Sequence, residues 1–272
     1  MKIYKDSVIV ITGGATGIGF GLAKAFGKDG AKLVLAEPRE HRLQEAVGKL
    51  GELGIVAAYC VCDVTQPDQV EALADFAWER FGRVDVLINN AGIKAPRNAI
   101  KDLPLDALHE VFDVNFFGVW HGCATFGKRL VAQGSPAAIY NVGSENSFFR
   151  AVPKAAAYVA SKHAVLGLTE SLRDEMPDYI DVGVIIPGFV SSEMHDPEVS
   201  KLGMDTDKFA ETVLAQIRAG AYYVVSHAYN MQHIRDRFDA VSKAFEAYAP
   251  RYDGDDEYDT QVLIKRLRSQ AS

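Results

Sequence analysis

Two hydrophobic patterns alternate along most of the chain. Short continuous runs of Val, Ile and Leu are typical of strands that are buried on both faces, as in a parallel sheet. These runs lie at 8–12, 32–36, 54–61, 84–89, 137–142, 181–187 and 222–226. Longer segments between them carry apolar residues at helical spacing, at 18–30, 39–54, 66–82 and 105–134. The alternation predicts strand–helix units that share one sheet.

This repeat predicts an α/β fold class, with a single Rossmann-type doubly wound domain and a mainly parallel seven-stranded sheet flanked by helices. No linker or change in composition interrupts residues 1–248, which we therefore predict to be one domain ending in an amphipathic helix at 232–249. Residues 249–272 are predicted to be a C-terminal tail, acidic at first and basic at its end. Such a tail is either solvated, packed on a neighbouring subunit, or a cover for the active site.

Composition narrows the classes of function. The 272 residues carry 29 Lys and Arg against 36 Asp and Glu, a net charge of −7, which argues against nucleic acid as a partner. No apolar stretch approaches the ~20 residues of a membrane span, and the N-terminus lacks a signal-peptide pattern. We therefore expect a cytoplasmic protein without a membrane partner. Cys60, Cys62 and Cys123 form no disulfide framework and have no neighbouring ligands, so we expect no metal.

The motif TGGATGIG, residues 12–19, follows the first predicted strand directly and opens the first helix. Gly13, Gly17 and Gly19 allow a tight turn and a close approach of the backbone to a pyrophosphate. The N-terminus of the helix supplies N–H groups to the same anion. A glycine-rich turn alone is a weak signal, but the strand–turn–helix context makes it a prediction of a dinucleotide site.

Acidic residues after the second and third strands bear on which dinucleotide binds. Glu37 lies about 20 residues beyond the glycine motif, where a carboxylate accepts hydrogen bonds from ribose hydroxyls. It would repel a 2′-phosphate, which favours NAD over NADP, although Arg39 could turn toward such a phosphate. Asp63 could accept a hydrogen bond from the adenine amino group or cap the following helix, and these two roles are compatible.

The motif YVASK places a tyrosine and a lysine one helical turn apart. Tyr158 and Lys162 are residues i and i+4, so their side chains lie on one helix face. A free tyrosine titrates near pH ~10, and a close cation lowers that pKa by stabilising the phenolate. The pair is therefore a candidate acid/base for an alcohol or a ketone.

Several motifs stand in one order along the chain. They are TGGATGIG, NNAG at 89–92, Asn115 in DVNFFG, Ser144 in YNVGS, YVASK, and PGFV at 187–190. Over about residues 5–225 the chain thereby resembles the short-chain dehydrogenase/reductases. The resemblance implies an oxidoreductase that interconverts an alcohol and a ketone by hydride transfer with a nicotinamide cofactor. It also implies a homo-oligomer, a tetramer or a dimer, formed through the helices around 104–133 and 154–176.

The resemblance also implies a role for each motif residue. Tyr158 is the implied acid/base, and Lys162 is implied to lower its pKa and to hold the nicotinamide ribose. Ser144 is implied to donate a hydrogen bond to the substrate oxygen, and Asn115 to bend its helix and hold a water of a proton relay through its backbone. The implied cofactor-binding residues are Gly13, Thr16, Gly17, Ile18, Gly19, Glu37, Asp63, Val64, Asn90, Gly92, Tyr158, Lys162, Val190 and Ser192.

One interval departs from the family pattern. Ser144 and Tyr158 are 14 residues apart, one more than is commonest in the family, so the loop ENSFFRAVP must bulge. Ser147 is therefore an alternative to Ser144. Ser144 is preferred because it ends a strand, where site residues lie in such sheets.

Substrate contacts are expected in the loop after the fifth strand and in a polar lid at 189–206. Candidates for an apolar or aromatic pocket are Phe148, Phe149, Phe189 and Met194, of which we take Phe189 and Met194, with Ser144, as substrate residues. The alternative for each apolar side chain is ordinary core packing. His195 could touch a phenol or carboxylate, or be an exposed lid histidine.

The end of the chain carries a second, looser resemblance. The segment VVSHAYNMQHIRDRFDAVSKAFEAY with the later DEYDTQVLIKRLR is similar to bacterial short-chain enzymes that oxidise benzylic Cα alcohols of lignin-derived aryl ethers. This implies a bulky aromatic secondary alcohol as substrate. The alternatives are a 3-oxoacyl or small carbonyl reductase using NADPH and a nucleotide-sugar epimerase, against which the glycine spacing argues. An inactive cofactor-sensing scaffold is a further alternative, against which the complete Asn–Ser–Tyr–Lys set argues.

Overall fold

The computed structural model describes residues 4–194 and 196–270. His195, a candidate substrate residue, lies outside the described residues. The chain divides into two compact units, one that ends at Ala228 and one that begins at Tyr229. The amphipathic helix predicted at 232–249 therefore lies in the second unit, whereas the sequence predicted it as the last element of the first domain. The predicted boundary between domain and tail at 248/249 stays a prediction.

The first unit contains one sheet. Its strands are β1 Val8–Thr12, β2 Lys32–Glu37, β3 Ala57–Val61, β4 Val86–Asn89, β5 Ala137–Val142, β6 Ile180–Ile186 and β7 Tyr223–Val225. They pair in the order β3-β2-β1-β4-β5-β6-β7, and every neighbouring pair is parallel. The predicted α/β fold with a seven-stranded sheet is confirmed, and among these strands the sheet is entirely parallel.

Helices connect the strands and cover both faces of the sheet. In the first unit they are α1 Gly17–Lys28, α2 Glu40–Glu52, α3 Pro67–Phe81, α4 Leu105–Phe112, α5 Gly118–Gln133, α6 Ala156–Glu175, α7 Pro197–Ser200 and α8 Thr206–Arg218. The second unit contains α9 Asn230–Tyr248 and α10 Thr260–Gln270. Within the described part of the chain, no helix combines the length and apolar character needed to cross a membrane.

The two faces of the sheet bury separate hydrophobic cores. Side chains of successive strand residues point to opposite faces, so Ile9 and Ile11 of β1 join one core while Val8 and Val10 join the other. The first core includes residues of α1, α2 and α8, and the second includes residues of α3, α5 and α6. Burial on both faces explains why the strands read as continuous apolar runs.

Two strands begin two or three residues later than the sequence predicts. Gly54 and Ile55 belong to the turn that follows α2, because Gly54 has a φ of +73° and the Ile55 N–H donates to the Leu50 carbonyl at 3.0 Å. At β4, the Val84 N–H and carbonyl are paired with the side chain of Gln133 at 3.1 and 2.8 Å rather than with a strand. The Gln133 side chain thus satisfies the backbone hydrogen bonds of Val84, which would otherwise pair with a neighbouring strand.

The long helix predicted at 105–134 is interrupted. Between α4 and α5 the backbone forms a π-helical turn, Asp113–Phe117, with Asn115 at its centre. Such turns are rare and often lie at functional sites. The sheet order also reverses between β1 and β4, where doubly wound sheets bind ligands at the carboxyl ends of the strands. Both features point to the same edge of the molecule.

Candidate active site

A cavity of about 840 Å³ lies along the carboxyl ends of the strands. It is open to solvent at one side and bounded by the glycine motif, the segments after β2 to β6, and the lid. Of the predicted site residues, those that line it are Gly13, Thr16, Gly17, Ile18, Glu37, Asp63, Val64, Asn90, Gly92, Ser144, Tyr158, Lys162, Val190, Ser192 and Met194. Gly19, Asn115 and Phe189 are not among the lining residues. The structure therefore brings together side chains that are up to 181 positions apart, from Gly13 to Met194.

The glycine motif forms one wall of the cavity. Gly13 and Gly17 have φ values of +60° and +51°, in the region that favours glycine. A Cβ on Gly19 would lie 2.2 Å from the Gly13 carbonyl oxygen, so Gly19 allows α1 to pack against the turn. Within the described residues, no side chain caps the start of α1, and its first turn carries no acidic residue. The free helix N-terminus and close backbone fit a pyrophosphate.

Asn90 fixes the glycine turn from the neighbouring strand. Its side-chain NH₂ donates to the carbonyls of Thr12 and Gly13, at 2.9 and 3.0 Å. In return, the Thr12 hydroxyl accepts the N–H groups of Asn90 and Ala91, at 3.0 and 3.1 Å. Thr12, the first residue of the motif, is not among the site residues predicted from the sequence. Asn90 thus acts on the cradle through its side chain as well as lining the cavity.

The two carboxylates predicted to bind the adenosine, Glu37 and Asp63, line the cavity where the chain leaves β2 and β3. Glu37 is buried at the end of β2, and its Oε1 accepts a hydrogen bond from the Arg39 guanidinium. The hydrogen bond with Glu37 raises the pKa of Arg39 and holds its guanidinium beside the carboxylate. Asp63 accepts the N–H and hydroxyl of Thr65, at 3.0 and 2.9 Å, and so supports the turn before α3. It does not cap α3, because the cap residue there is Gln66.

Ser144 follows β5 and presents its hydroxyl to the cavity. Its Oγ accepts hydrogen bonds from the N–H and the side-chain NH₂ of Asn146, at 3.1 and 3.3 Å. A hydroxyl has two acceptor positions and one donor. Because both acceptor positions are used, the proton of Ser144 is directed elsewhere, and the Ser144 hydroxyl lowers the pKa of the neighbouring Tyr158. Asn146, which is not among the residues predicted from the sequence, therefore orients Ser144 as a donor.

Tyr158 and Lys162 meet on the face of α6 that borders the cavity. The Lys162 Nζ lies 5.8 Å from the centre of the Tyr158 ring and donates to the Val142 carbonyl at 2.8 Å. Lys162 is buried, whereas Tyr158 is partly exposed toward the cavity. A Cβ on Gly92 would lie 3.7 Å from the Nζ, so the glycine keeps space open beside the ammonium. That space fits a ribose that would share the Lys162 protons.

Burial dominates the protonation of this pair. It raises the pKa of Tyr158, while the Ser144 hydroxyl lowers that pKa and the Glu145 carboxylate raises it further. This raised pKa of Tyr158 is opposite to the lowering that was expected from Lys162. Burial also lowers the pKa of Lys162, to about 8. In the protein alone the phenol is therefore held protonated. A positive charge bound in the cavity would favour the phenolate.

Asn115 positions the site from behind the cavity wall. Its side-chain oxygen accepts the Ile93 N–H at 2.8 Å, and its NH₂ donates to the Ile93 carbonyl at 2.9 Å and to Ser161 Oγ at 3.2 Å. The π-helical turn lets this buried side chain reach the segment after β4 and α6 together. Asn115 is thus tied to two of the elements that carry cavity residues.

The extra residue between Ser144 and Tyr158 is taken up by compact backbone. A 3₁₀ turn, Glu145–Ser147, begins directly after Ser144, and Lys154 has a φ of +57°. Ser147, the alternative to Ser144, accepts the Ser144 N–H at 3.2 Å and donates to the Lys162 carbonyl at 2.7 Å. Both functions of its hydroxyl are used within the backbone, and Ser147 does not line the cavity.

The two serines are expected to respond differently to the loss of their hydroxyls. Ser144→Ala removes a donor from the cavity and should lower kcat by about 10²-fold. Ser147→Ala removes two buried hydrogen bonds and should lower the free energy of unfolding by about 1–2 kcal/mol, with a smaller loss of kcat. Steady-state kinetics and urea unfolding of both variants measure this. A larger loss of kcat in Ser147→Ala would reverse the assignment.

The lid is held by backbone pairing and contains a short helix, α7. The Met204 N–H donates to the Phe189 carbonyl at 2.9 Å, and the Ser192 N–H donates to Ser200 Oγ at 2.9 Å. Met194 lines the cavity and Phe189 does not, and the substrate role of each stays a prediction. Phe148 packs near the Tyr223 ring, with centres 6.0 Å apart.

His227 fixes the segment where the lid begins. Its Nδ1 accepts the Gly188 N–H at 3.2 Å, and its Nε2 lies 3.2 Å from the Phe189 carbonyl, to which it donates in the matching tautomer. The sequence offered no signal for this contact, since His227 and Phe189 are 38 positions apart. Among the described residues, no group of three His, Cys, Asp or Glu side chains could hold a metal ion.

The chain is similar to proteins of known family. The family described as "short chain dehydrogenase" matches residues 7–203. The 1-deoxy-11-beta-hydroxypentalenate dehydrogenase of Streptomyces avermitilis is 32% identical over 245 residues, which cover 87% of this chain and 90% of the relative. The C alpha-dehydrogenase of Sphingobium sp. is 29% identical over 266 residues, which cover 89% and 87%.

A solved structure shares the fold over nearly the whole chain. It is a short chain dehydrogenase/reductase from Burkholderia phymatum in complex with NAD, with a TM-score of 0.83 and 26% sequence identity. The match covers 93% of this chain and 99% of that one.

Proposed function

Because the chain belongs to the short-chain dehydrogenase family, we propose that it catalyses the NAD-dependent oxidation of a bulky aromatic secondary alcohol to a ketone. As a member of this family it is an oxidoreductase that acts on CH–OH groups with NAD(P). The observation that carries the proposal is the convergence of Ser144, Tyr158 and Lys162 on the cavity that the glycine motif opens. The cofactor, the direction and the substrate class are the parts that need experiment.

The residues divide the acid/base work between them. The bound nicotinamide supplies the hydride acceptor. Tyr158 takes the proton of the alcohol hydroxyl, and Ser144 donates a hydrogen bond to the same oxygen, since its acceptor positions are occupied by Asn146. Lys162 holds ribose hydroxyls and adds positive charge beside the Tyr158 ring. In the reverse direction Tyr158 returns the proton to the oxygen of the ketone.

The preference for NAD rests on the charge at the end of β2. The Glu37 carboxylate is buried, lines the cavity and can accept hydrogen bonds from ribose hydroxyls. A 2′-phosphate would be brought close to this carboxylate, although Arg39 offsets part of its charge. The similarity to a structure in complex with NAD supports the same preference.

Removing Glu37 should shift the preference between cofactors. In Glu37→Ala the ribose hydroxyls lose their acceptor, and Arg39 is released from its carboxylate partner. We expect the ratio of kcat/KM for NAD to that for NADP to fall by roughly 10- to 100-fold, as for the loss of one charged hydrogen bond. Absorbance at 340 nm with both cofactors measures it, with Glu40→Ala as control. An unchanged ratio would exclude Glu37 as the selecting residue.

The substrate class is supported by the apolar surroundings of the acid/base. The Tyr158 ring packs against a cluster that contains Ala95, Val111 and Ala157, together with Ile93 and Leu103. Ile93 and Ala95 of that cluster line the cavity, and Met194 is a further apolar residue of its lining. Such a surface favours a large apolar group over a sugar or a carboxylate. The relative named C alpha-dehydrogenase supports an aromatic alcohol.

A substrate panel tests this proposal directly. Benzylic secondary alcohols that carry a β-aryl ether should reduce NAD with a kcat/KM at least about tenfold above that of small aliphatic alcohols, because each buried apolar group adds binding energy. The reverse assay offers a 3-oxoacyl thioester with NADPH. A preference for that thioester and NADPH would replace the proposal with the reductase alternative.

A further inference from the structure

Helix α9 carries a narrow apolar stripe, and none of the described residues that line the active-site cavity belongs to this helix. Within the described chain, Asn230 is the only buried residue of this 19-residue helix. Its apolar side chains include Phe245, which is 63% exposed, and Tyr248, which is 89% exposed. We call the stripe the α9 seam, and its six residues are Met231, Ile234, Phe238, Val241, Phe245 and Tyr248.

The spacing of the α9 seam indicates what should cover it. The intervals between its residues are 3, 4, 3, 4 and 3 positions, the a/d pattern of a heptad repeat. A helix that packs on a globular core carries a wider stripe, with further apolar residues at the e or g positions. Here those flanking positions hold Arg235, Arg237 and Ser242, with Ala244 alone apolar. The narrow seam therefore favours another helix with a matching seam over a flat core surface.

An uncovered seam is also poorly stable in water. Most of the stability of a helix in a protein comes from packing of its apolar face rather than from helix propensity. With nearly all of its side chains exposed, α9 receives little of that stabilisation. Contiguous apolar surface of this kind usually marks an interaction site.

We propose that α9 pairs with α9 of a second copy of this chain, in antiparallel orientation, through the α9 seam. A two-fold axis makes one patch serve both copies. With the two-fold axis placed between Phe238 and Val241, Phe238 of each copy faces Val241 of the other copy. Phe245 then faces Ile234, and Met231 faces Tyr248. Each of these layers combines a larger side chain with a smaller one or with the flexible Met231, as close packing prefers.

Charge selects the antiparallel orientation. Arg235 and Arg237 flank the seam near the start of α9. In a parallel pair, both copies would place these guanidiniums around the same end, where like charges repel. In an antiparallel pair they lie at opposite ends, and the two helix dipoles also oppose each other favourably. This contact is separate from α5 and α6, through which the family resemblance implies assembly.

Disrupting the seam tests whether a second copy covers it. The double variant F238E/F245E places two carboxylates in the seam, and K243E makes the same change in net charge outside the seam. Sedimentation velocity should give a mass for F238E/F245E at most half that of the wild type, with K243E unchanged. A folded, soluble F238E/F245E with wild-type mass would overturn the proposal. A lower Tm at unchanged mass would overturn it too, since the seam would then pack within one chain.

Disulfide trapping tests the orientation and does not depend on a disruptive variant. F238C and V241C are made separately on a C60S background, co-expressed and oxidised, and the cross-linked peptides are identified by mass spectrometry. The antiparallel pair should give a disulfide between positions 238 and 241 of different chains. A bond between two copies of V241C instead would show a parallel pair, and the absence of any bond between α9 helices would overturn the pairing.

Discussion

Tyr158→Phe is expected to fold and bind NADH yet lose turnover by roughly 10³-fold or more, the upper range for removing a general acid/base. The substitution removes one oxygen from a side chain that lines the cavity and leaves its ring packed in the same apolar cluster. The proton of the alcohol then has no acceptor at the position that Tyr158 occupies. Single-turnover absorbance at 340 nm measures the step, and NADH fluorescence measures binding.

The matched control is Tyr59→Phe. Tyr59 lies on β3, and its hydroxyl donates to Glu40 at 3.2 Å, so this variant loses the same atom at a distance from the cavity. Its turnover should stay within about twofold of the wild type, as for a surface change. Near-wild-type turnover in Tyr158→Phe would remove Tyr158 from the mechanism. An equal loss in both variants would point to a general effect on the fold.

Lys162→Met is expected to abolish most activity and at the same time to stabilise the protein. Turnover should fall by about 10²-fold or more, because the ammonium that orients the ribose and favours the Tyr158 phenolate is lost. The free energy of unfolding at pH 7 should rise by about 1–3 kcal/mol, since a buried charge is replaced by an apolar side chain of similar length. Active sites commonly hold such a conflict between stability and function.

The stabilisation should depend on pH in a defined window. Burial lowers the pKa of Lys162 from 10.5 to about 8 in the folded protein. Below pH 8 the lysine is charged in both states, and the folded wild type carries the full cost, about 3 kcal/mol for this shift. Between pH 8 and 10.5 the unfolded state binds more protons, so wild-type stability rises with pH. The advantage of Lys162→Met should therefore shrink through this window.

Urea unfolding of the two proteins from pH 7 to pH 10.5 measures this difference. Lys128→Met serves as control, because Lys128 is exposed on α5 and its loss removes the same charge. The control should differ from the wild type by a constant amount across the window. A difference between Lys162→Met and the wild type that stays constant with pH would show that Lys162 titrates normally in the folded state.

The local pattern of the sequence predicted much of this molecule. Burial on both faces of each strand produced continuous apolar runs, and these located all seven strands to within three residues at their starts. The glycine motif was visible in the sequence because the backbone at Gly13 and Gly17 has positive φ values, which favour glycine. The motifs also supplied the members of the site, since Ser144, Tyr158 and Lys162 converge on one cavity.

Other features depend on contacts between distant segments. Asn115 bonds to Ile93, Asn90 bonds to Gly13, and His227 bonds to Gly188. The spacing of these residues along the sequence does not predict any of the three contacts. The same is true of the pKa of Tyr158. The spacing of Tyr158 and Lys162 suggested a lowered value, but burial, which depends on the whole surrounding structure, raises it.

The sequence by itself determined the fold class, the family and the chemical groups of the site, because periodicity and motif spacing act over short distances along the chain. Only the tertiary structure decided how those groups are held and charged. Hydrogen bonds from Asn146 make Ser144 a donor, and burial lowers the pKa of Lys162 to about 8. Both effects depend on contacts that form only when the helices pack on the sheet. The local sequence pattern does not predict such contacts.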